Sequence, residues 1–108
     1  MRILFDECVP RKLRHNFRGF ECETAPGAGL AGKENGELLR LAEQAGFDVL
    51  LTVDRGIRYQ QNLTGRKIAV LILGARSNKL GSLLPYIGAA QMALTTIKPG
   101  EVVRVGEL

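Results

Sequence analysis

Residues 45–54 read AGFDVLLTVD. Gly46 stops a helix. From Asp48 an apolar run carries the chain to Asp54. A run of this kind bounded by a glycine predicts a buried strand that ends on an acid. A second run, KIAVLIL at 67–73, is apolar throughout. Neither alternates with polar residues, so both read as strands covered on two faces, the mark of a parallel sheet.

Upstream, Asn35 is placed to cap a helix, with Glu37 in its first turn and Leu38, Leu41, Ala42 and Ala45 as its inner face. Before it lies a Gly-rich loop, APGAGLAGKENG (25–36). No Gly-Lys-Ser/Thr follows it, so it is not a Walker loop. FECET (20–24) predicts a weak strand of period two. The chain opens with MRILFDECVP, a short buried strand over 2–6 that stops on Asp6 and Glu7. Pro10 suits the first turn of a helix, and Val9, Leu13 and Phe17 recur every four residues along one face. Arg18-Gly19 closes that helix. Downstream, a short helical piece is expected from about Gly56 to Asn62. A final helix starts at Ser77 or Asn78, with Leu80, Leu83, Leu84, Ile87, Ala90, Leu94 and Ile97 inside and a bend or restart at Pro85. Pro99-Gly100 turns into a last strand, EVVRV. Strands alternating with helices predict an α/β fold with a mostly parallel sheet and helices on both faces.

The chain has 108 residues, 45% of them hydrophobic, which is enough for one domain with one core, residues 1–108. Its longest apolar run, Ile68 to Leu73, is far too short to span a membrane. The first strand begins at about Arg2, which leaves no room for a leader, so cytoplasmic residence is expected. Cys8 and Cys22 have neither CxxC nor metal-ligand spacing and read as small buried or half-buried thiols. The net charge of +4 favours anionic partners.

Parallel α/β sheets build their sites at the carboxyl ends of strands. Asp6 and Glu7 end the first strand there, and Asp54 ends the third. Glu37 opens a helix at the same edge. Asp48, at the opposite end of the third strand, reads as structural. Carboxylates from separate segments suit a hard cation such as Mg²⁺ or Mn²⁺. Around them stand Arg11, Lys12, Arg14, Lys33, Arg55, Arg58 and Arg76. Acids ringed by Arg and Lys suit a phosphodiester substrate. Tyr59 either stacks on a base or packs against the short helix, and His15 reads as a surface residue.

MRILFDECVPRKL, NGELLRLAEQAGFDVLLTVDRGI and KIAVLIL, in this order, resemble the PIN-like nuclease superfamily, in particular its small stand-alone bacterial members. The resemblance implies a three-layer α/β/α sandwich and a Mg²⁺- or Mn²⁺-dependent endoribonuclease. It further implies the toxin of a type II toxin–antitoxin pair, with RNA and a small antitoxin protein as partners and a homodimer left open. It makes Asp6 the first metal ligand and Asp54 the third-strand ligand, and leaves Glu37, Glu34 or Glu7 to stand in for the missing acids of the set. Where the family often carries acids, this chain has Asn35 and Gly56, and Cys8 stands where relatives often carry Asn. The alternative is therefore a PIN-like domain with weak or no catalysis that binds RNA or a protein. A phospho-receiver domain also places acids after strands one and three. Lys98-Pro99 precedes EVVRV instead of following it, and VDRGI lacks the apolar-Pro turn of receivers.

Overall fold

The structure, a computed structural model, describes residues 1–54, 56, 63 and 65–106. Apart from Gly56, the expected helical piece to Asn62 and the side chains of Arg55, Arg58 and Tyr59 fall outside the described residues.

Five strands form one all-parallel sheet: β1 (Arg2–Phe5), β2 (Glu21–Thr24), β3 (Val49–Thr52), β4 (Ala69–Gly74) and β5 (Val102–Gly106), in the order β2-β1-β3-β4-β5. All six residues of β4 and all four of β3 are buried, as their unbroken apolar sequence requires. β2 is an edge strand whose Glu21 and Glu23 are exposed.

Successive side chains of a strand point to opposite faces, and the core divides accordingly. Ile3, Phe5, Val49, Leu51 and Leu71 join one apolar cluster, while Leu4, Leu50, Val70 and Ile72 join the other. Helix α1 (Asn35–Gln44) packs Leu38, Leu39 and Ala42 into the second cluster. Here the expected inner face is corrected. Leu39 is buried, Leu41 is only partly buried and Ala45 is exposed, so the helix is rotated towards Leu39. Glu34, not Asn35, is the N-cap, and the side chain of Asn35 reaches the site described below.

The first cluster is closed by Val9, Leu13 and Phe17 and by the helices after β4. Residues Arg11–Asn16 form a 3-10 helix instead of the expected α-helix. The four-residue spacing told which side faces the sheet, and all three apolar residues are indeed buried. It did not set the hydrogen-bond pattern. No acid stands in the first turn and no side chain caps it, while Arg11 and Lys12 place positive charge at the positive end of the backbone dipole. Phe17 meets Phe5 and Phe20 edge to face, with ring centroids 5.9 and 6.5 Å away. At Pro85 the last helix breaks as expected into α2 (Leu80–Leu83), a 3-10 turn (Leu84–Tyr86) and α3 (Ile87–Leu94).

The sheet order places a topological switch point between β1 and β3. The chain leaves β1 for β2 on one side and returns to β3 on the other. In folds of this kind ligands bind at the carboxyl ends of the strands where the winding direction reverses.

Candidate phosphodiester site

Asp6 and Asp54 flank this switch point. The backbone N–H of Asp6 donates to the carbonyl of Leu51 at 2.9 Å and so continues the β1–β3 ladder. This sets Asp6 level with Thr52 in the neighbouring strand. The buried Thr52 hydroxyl donates to Asp6 Oδ2 at 2.8 Å and accepts from the N–H of Asp54 at 3.0 Å. Asp54 Oδ1 accepts from the Gly56 N–H at 2.9 Å, and Oδ2 from Asn35 Nδ2 at 3.4 Å. Asp6 Oδ1 takes the Glu7 N–H at 2.8 Å. A hydrogen-bonded chain Asp6–Thr52–Asp54–Asn35 thus joins β1, β3 and the start of α1. Sequence reasoning named both acids but gave Thr52 no role. The signal was present in Thr-x-Asp, two residues apart on the same side of an extended chain.

Cys8 lies against this chain. Its Sγ is 3.7 Å from Asp6 Oδ2 and 3.7 Å from Thr52 Oγ1. Burial, with the Asp6 charge adding to it, pushes the Cys8 thiol above its ordinary pKa. It is a neutral thiol at physiological pH.

The other expected site residues divide. Glu7 accepts a hydrogen bond from the N–H of Gly32 and ties the Gly-rich loop to the end of β1. Glu37 is exposed and pairs with Lys33 at 3.8 Å, one helical turn away. The residue of α1 that reaches Asp54 is Asn35. Arg11 and Arg14, with Asp6 and Glu7, line a cleft of about 620 Å³ between the 3-10 helix and the turn after β2. Lys12 is exposed on the same 3-10 helix but does not line that cleft, and Arg76 is exposed beyond the end of β4. His15 is exposed, as expected. Asp48 is structural, also as expected: its Oδ2 accepts the Arg2 N–H at 2.8 Å at the far end of the sheet.

Among the described residues no three His, Cys, Asp or Glu side chains come together as a metal cluster. Asp6 and Asp54 remain as hard oxygen donors. Each of their four oxygens accepts a hydrogen bond from the protein, and Asp6 Oδ2 takes a second, from the Cys8 thiol. Such a donor set fits a single hard cation that keeps part of its water shell. It falls short of a pair of ions.

No protein family matches the chain, and neither curated proteins nor solved structures provide a match. The site's own geometry therefore carries the functional argument. The sheet order is also that of receiver-like doubly wound folds. The position of Lys98 speaks against that chemistry. Lys98 and Pro99 line a second cleft with Met1 and Asp48, at the amino ends of the strands, so the lysine stands at the end of the sheet opposite Asp54.

Proposed function

We propose that the chain is a PIN-like domain of the three-layer α/β/α type, acting in the cytoplasm as a slow, metal-dependent endoribonuclease on single-stranded RNA. In this reading it is the toxin of a type II pair held in check by a small antitoxin protein. The observation that supports it best is the coupling of Asp6 to Asp54 through buried Thr52, with Asp6 also lining the cleft that holds Arg11 and Arg14.

Asp6 and Asp54 would hold one Mg²⁺ or Mn²⁺, and Glu37 joins them only by leaving Lys33. Such an ion, held by Asp6 and Asp54, would supply Lewis-acid polarisation of a phosphoryl oxygen and a more acidic water. Thr52 locks the Asp6 carboxylate in one orientation by donating to Oδ2 and receives the backbone of Asp54 on its lone pair. The guanidinium groups of Arg11 and Arg14 neutralise the RNA backbone in the cleft. Asn35 and Gly56, neutral where acids are expected, keep the site to one ion and make turnover slow.

The absence of a three-ligand cluster among the described residues favours a second reading, the same fold binding RNA or a protein without cutting. Calorimetric titration of Mn²⁺ together with cleavage of end-labelled single-stranded RNA separates the two. One weak Mn²⁺ site and slow cleavage, faster with Mn²⁺ than with Mg²⁺ and lost in Asp6→Asn, support the nuclease. RNA binding without Mn²⁺ uptake selects the binding module, and failure to bind RNA removes both. In a melting scan Mn²⁺ raises the Tm of wild type and of Asp48→Asn but not of Asp6→Asn.

A further inference from the structure

The cleft between the 3-10 helix and the turn after β2 is not uniformly basic. Its volume of about 620 Å³ is in the range of small-molecule pockets. Val9, Pro10 and Pro26 supply rigid apolar wall, Arg11 and Arg14 supply positive charge, and Glu23 stands on the wall formed by β2. Of the cleft's acids, Asp6 and Glu7 are held by the hydrogen bonds already described. The exposed side chain of Glu23 makes no hydrogen bond or ion pair among the described residues. Gly27 keeps the space beside it open: a Cβ there would come within 2.8 Å of Thr24 Oγ1 and 3.8 Å of Glu23 Cγ.

An unpaired carboxylate in a cleft that binds RNA repels the backbone. It becomes favourable only where it accepts hydrogen bonds from a base. Single-stranded RNA is read in this way, with splayed bases packed on flat side chains and bonded along their Watson–Crick edges. Among the four bases guanine alone presents two adjacent donors on that edge, N1–H and the N2 amino group. Two parallel bonds to one carboxylate are stronger and more directional than one. Cytosine and adenine offer a single amino group there, and uracil a single imino N–H.

We infer that this cleft is a guanine subsite, in which Glu23 accepts both donors of the base between Pro10 and Pro26 while Arg11 and Arg14 hold the adjoining phosphate. The inference rests on the RNA-binding reading of the same site and adds base selectivity to it. Glu23 is a specificity residue and has no part in bond cleavage.

The test is equilibrium binding of the labelled tetranucleotides UUGU, UUAU, UUCU and UUUU at low salt in EDTA, so that no cleavage or metal intervenes. Wild type binds UUGU about 10-fold tighter than the other three, the discrimination expected of one bidentate base contact. Glu23→Gln loses most of that preference and leaves UUUU binding unchanged or slightly tighter. Glu21→Gln, on the same strand but paired with Arg2 at 3.7 Å, keeps the preference. Equal binding of all four oligonucleotides by wild type, or an undiminished guanine preference in Glu23→Gln, overturns the subsite and leaves the RNA-binding reading standing. Absence of binding to every oligonucleotide overturns both.

Discussion

Thr52 is the only fully buried polar side chain among the described residues, and both capacities of its hydroxyl are used. Thr52→Val keeps the shape and removes the oxygen. It leaves the Asp54 N–H without its partner, so the variant should lose about 1–3 kcal/mol of stability in urea unfolding. Thr52→Ser should lose less, because it restores both hydrogen bonds. Equal losses in the two variants would show that packing of the methyl group, not the hydrogen bonds, matters here. The thiols titrate in the opposite sense to a reactive cysteine. Burial pushes Cys22 up to about 11, a rise that the charge of Arg14 partly offsets. Between the ordinary value of 9.0 and about 11 the folded state keeps a proton that the unfolded state has released. Stability contributed by that group is present below pH 9 and lost as pH rises towards 11. Urea midpoints of wild type should therefore fall more steeply over this window than those of Cys22→Ala. Cys8, shifted in the same direction, leaves a residual slope in the variant.

At the scale of elements, Arg2 joins pieces that the sequence places far apart. Its Nη1 donates to the carbonyl of Ala45 at the end of α1, its guanidinium lies 4.3 Å from the centre of the Phe47 ring, and its Nε pairs with Glu21 of β2 at 3.7 Å. A cation beside the carboxyl end of a helix also complements the backbone dipole. Arg2→Ala should cost about 1–2 kcal/mol by loss of the charged hydrogen bond and the ring contact. Arg2→Lys should recover only part of this, since an ammonium cannot serve carbonyl, ring and carboxylate at once. An unchanged unfolding midpoint in Arg2→Ala would show that these contacts add nothing. The break at Pro85 was legible because proline removes a helical donor wherever it stands. The rotation of α1 towards Leu39 was not. Leu38, Leu39, Leu41 and Ala42 allow more than one apolar stripe, and the sheet surface selects among them.

Over the whole molecule the charge of +4 is spread widely, but Arg11 and Arg14 are brought to the cleft by the 3-10 helix while Lys12 points elsewhere. Single-strand affinity should fall with salt along a line whose slope lessens by about 0.7 for each phosphate contact removed. Arg11→Ala/Arg14→Ala should therefore flatten the log–log slope by about 1.4, against a smaller change for Lys12→Ala. Fluorescence anisotropy of a short single-stranded RNA between low and moderate NaCl reads this directly. Equal slopes for all three proteins would take the arginines out of the interface.

The sequence alone determined the class of fold, because AGFDVLLTVD and KIAVLIL are apolar without alternation and only a sheet covered on both faces buries such strands. It also determined that Asp6 and Asp54 share an edge, since parallel strands deliver their carboxyl ends to one side. Three things waited for the tertiary structure. The strand order that makes β1 and β3 neighbours depends on which face each connection crosses, which local pattern does not record. The roles of Thr52 and Asn35 depend on register, which sets Thr52 level with Asp6 and brings Asn35, 19 residues earlier in the chain, to Asp54. Glu37 looked like the site acid because it opens the right helix, yet its exposed position lets it settle on Lys33, one turn back. Side chains that meet through long-range packing obey distance in space, and the sequence encodes that distance only through the whole fold.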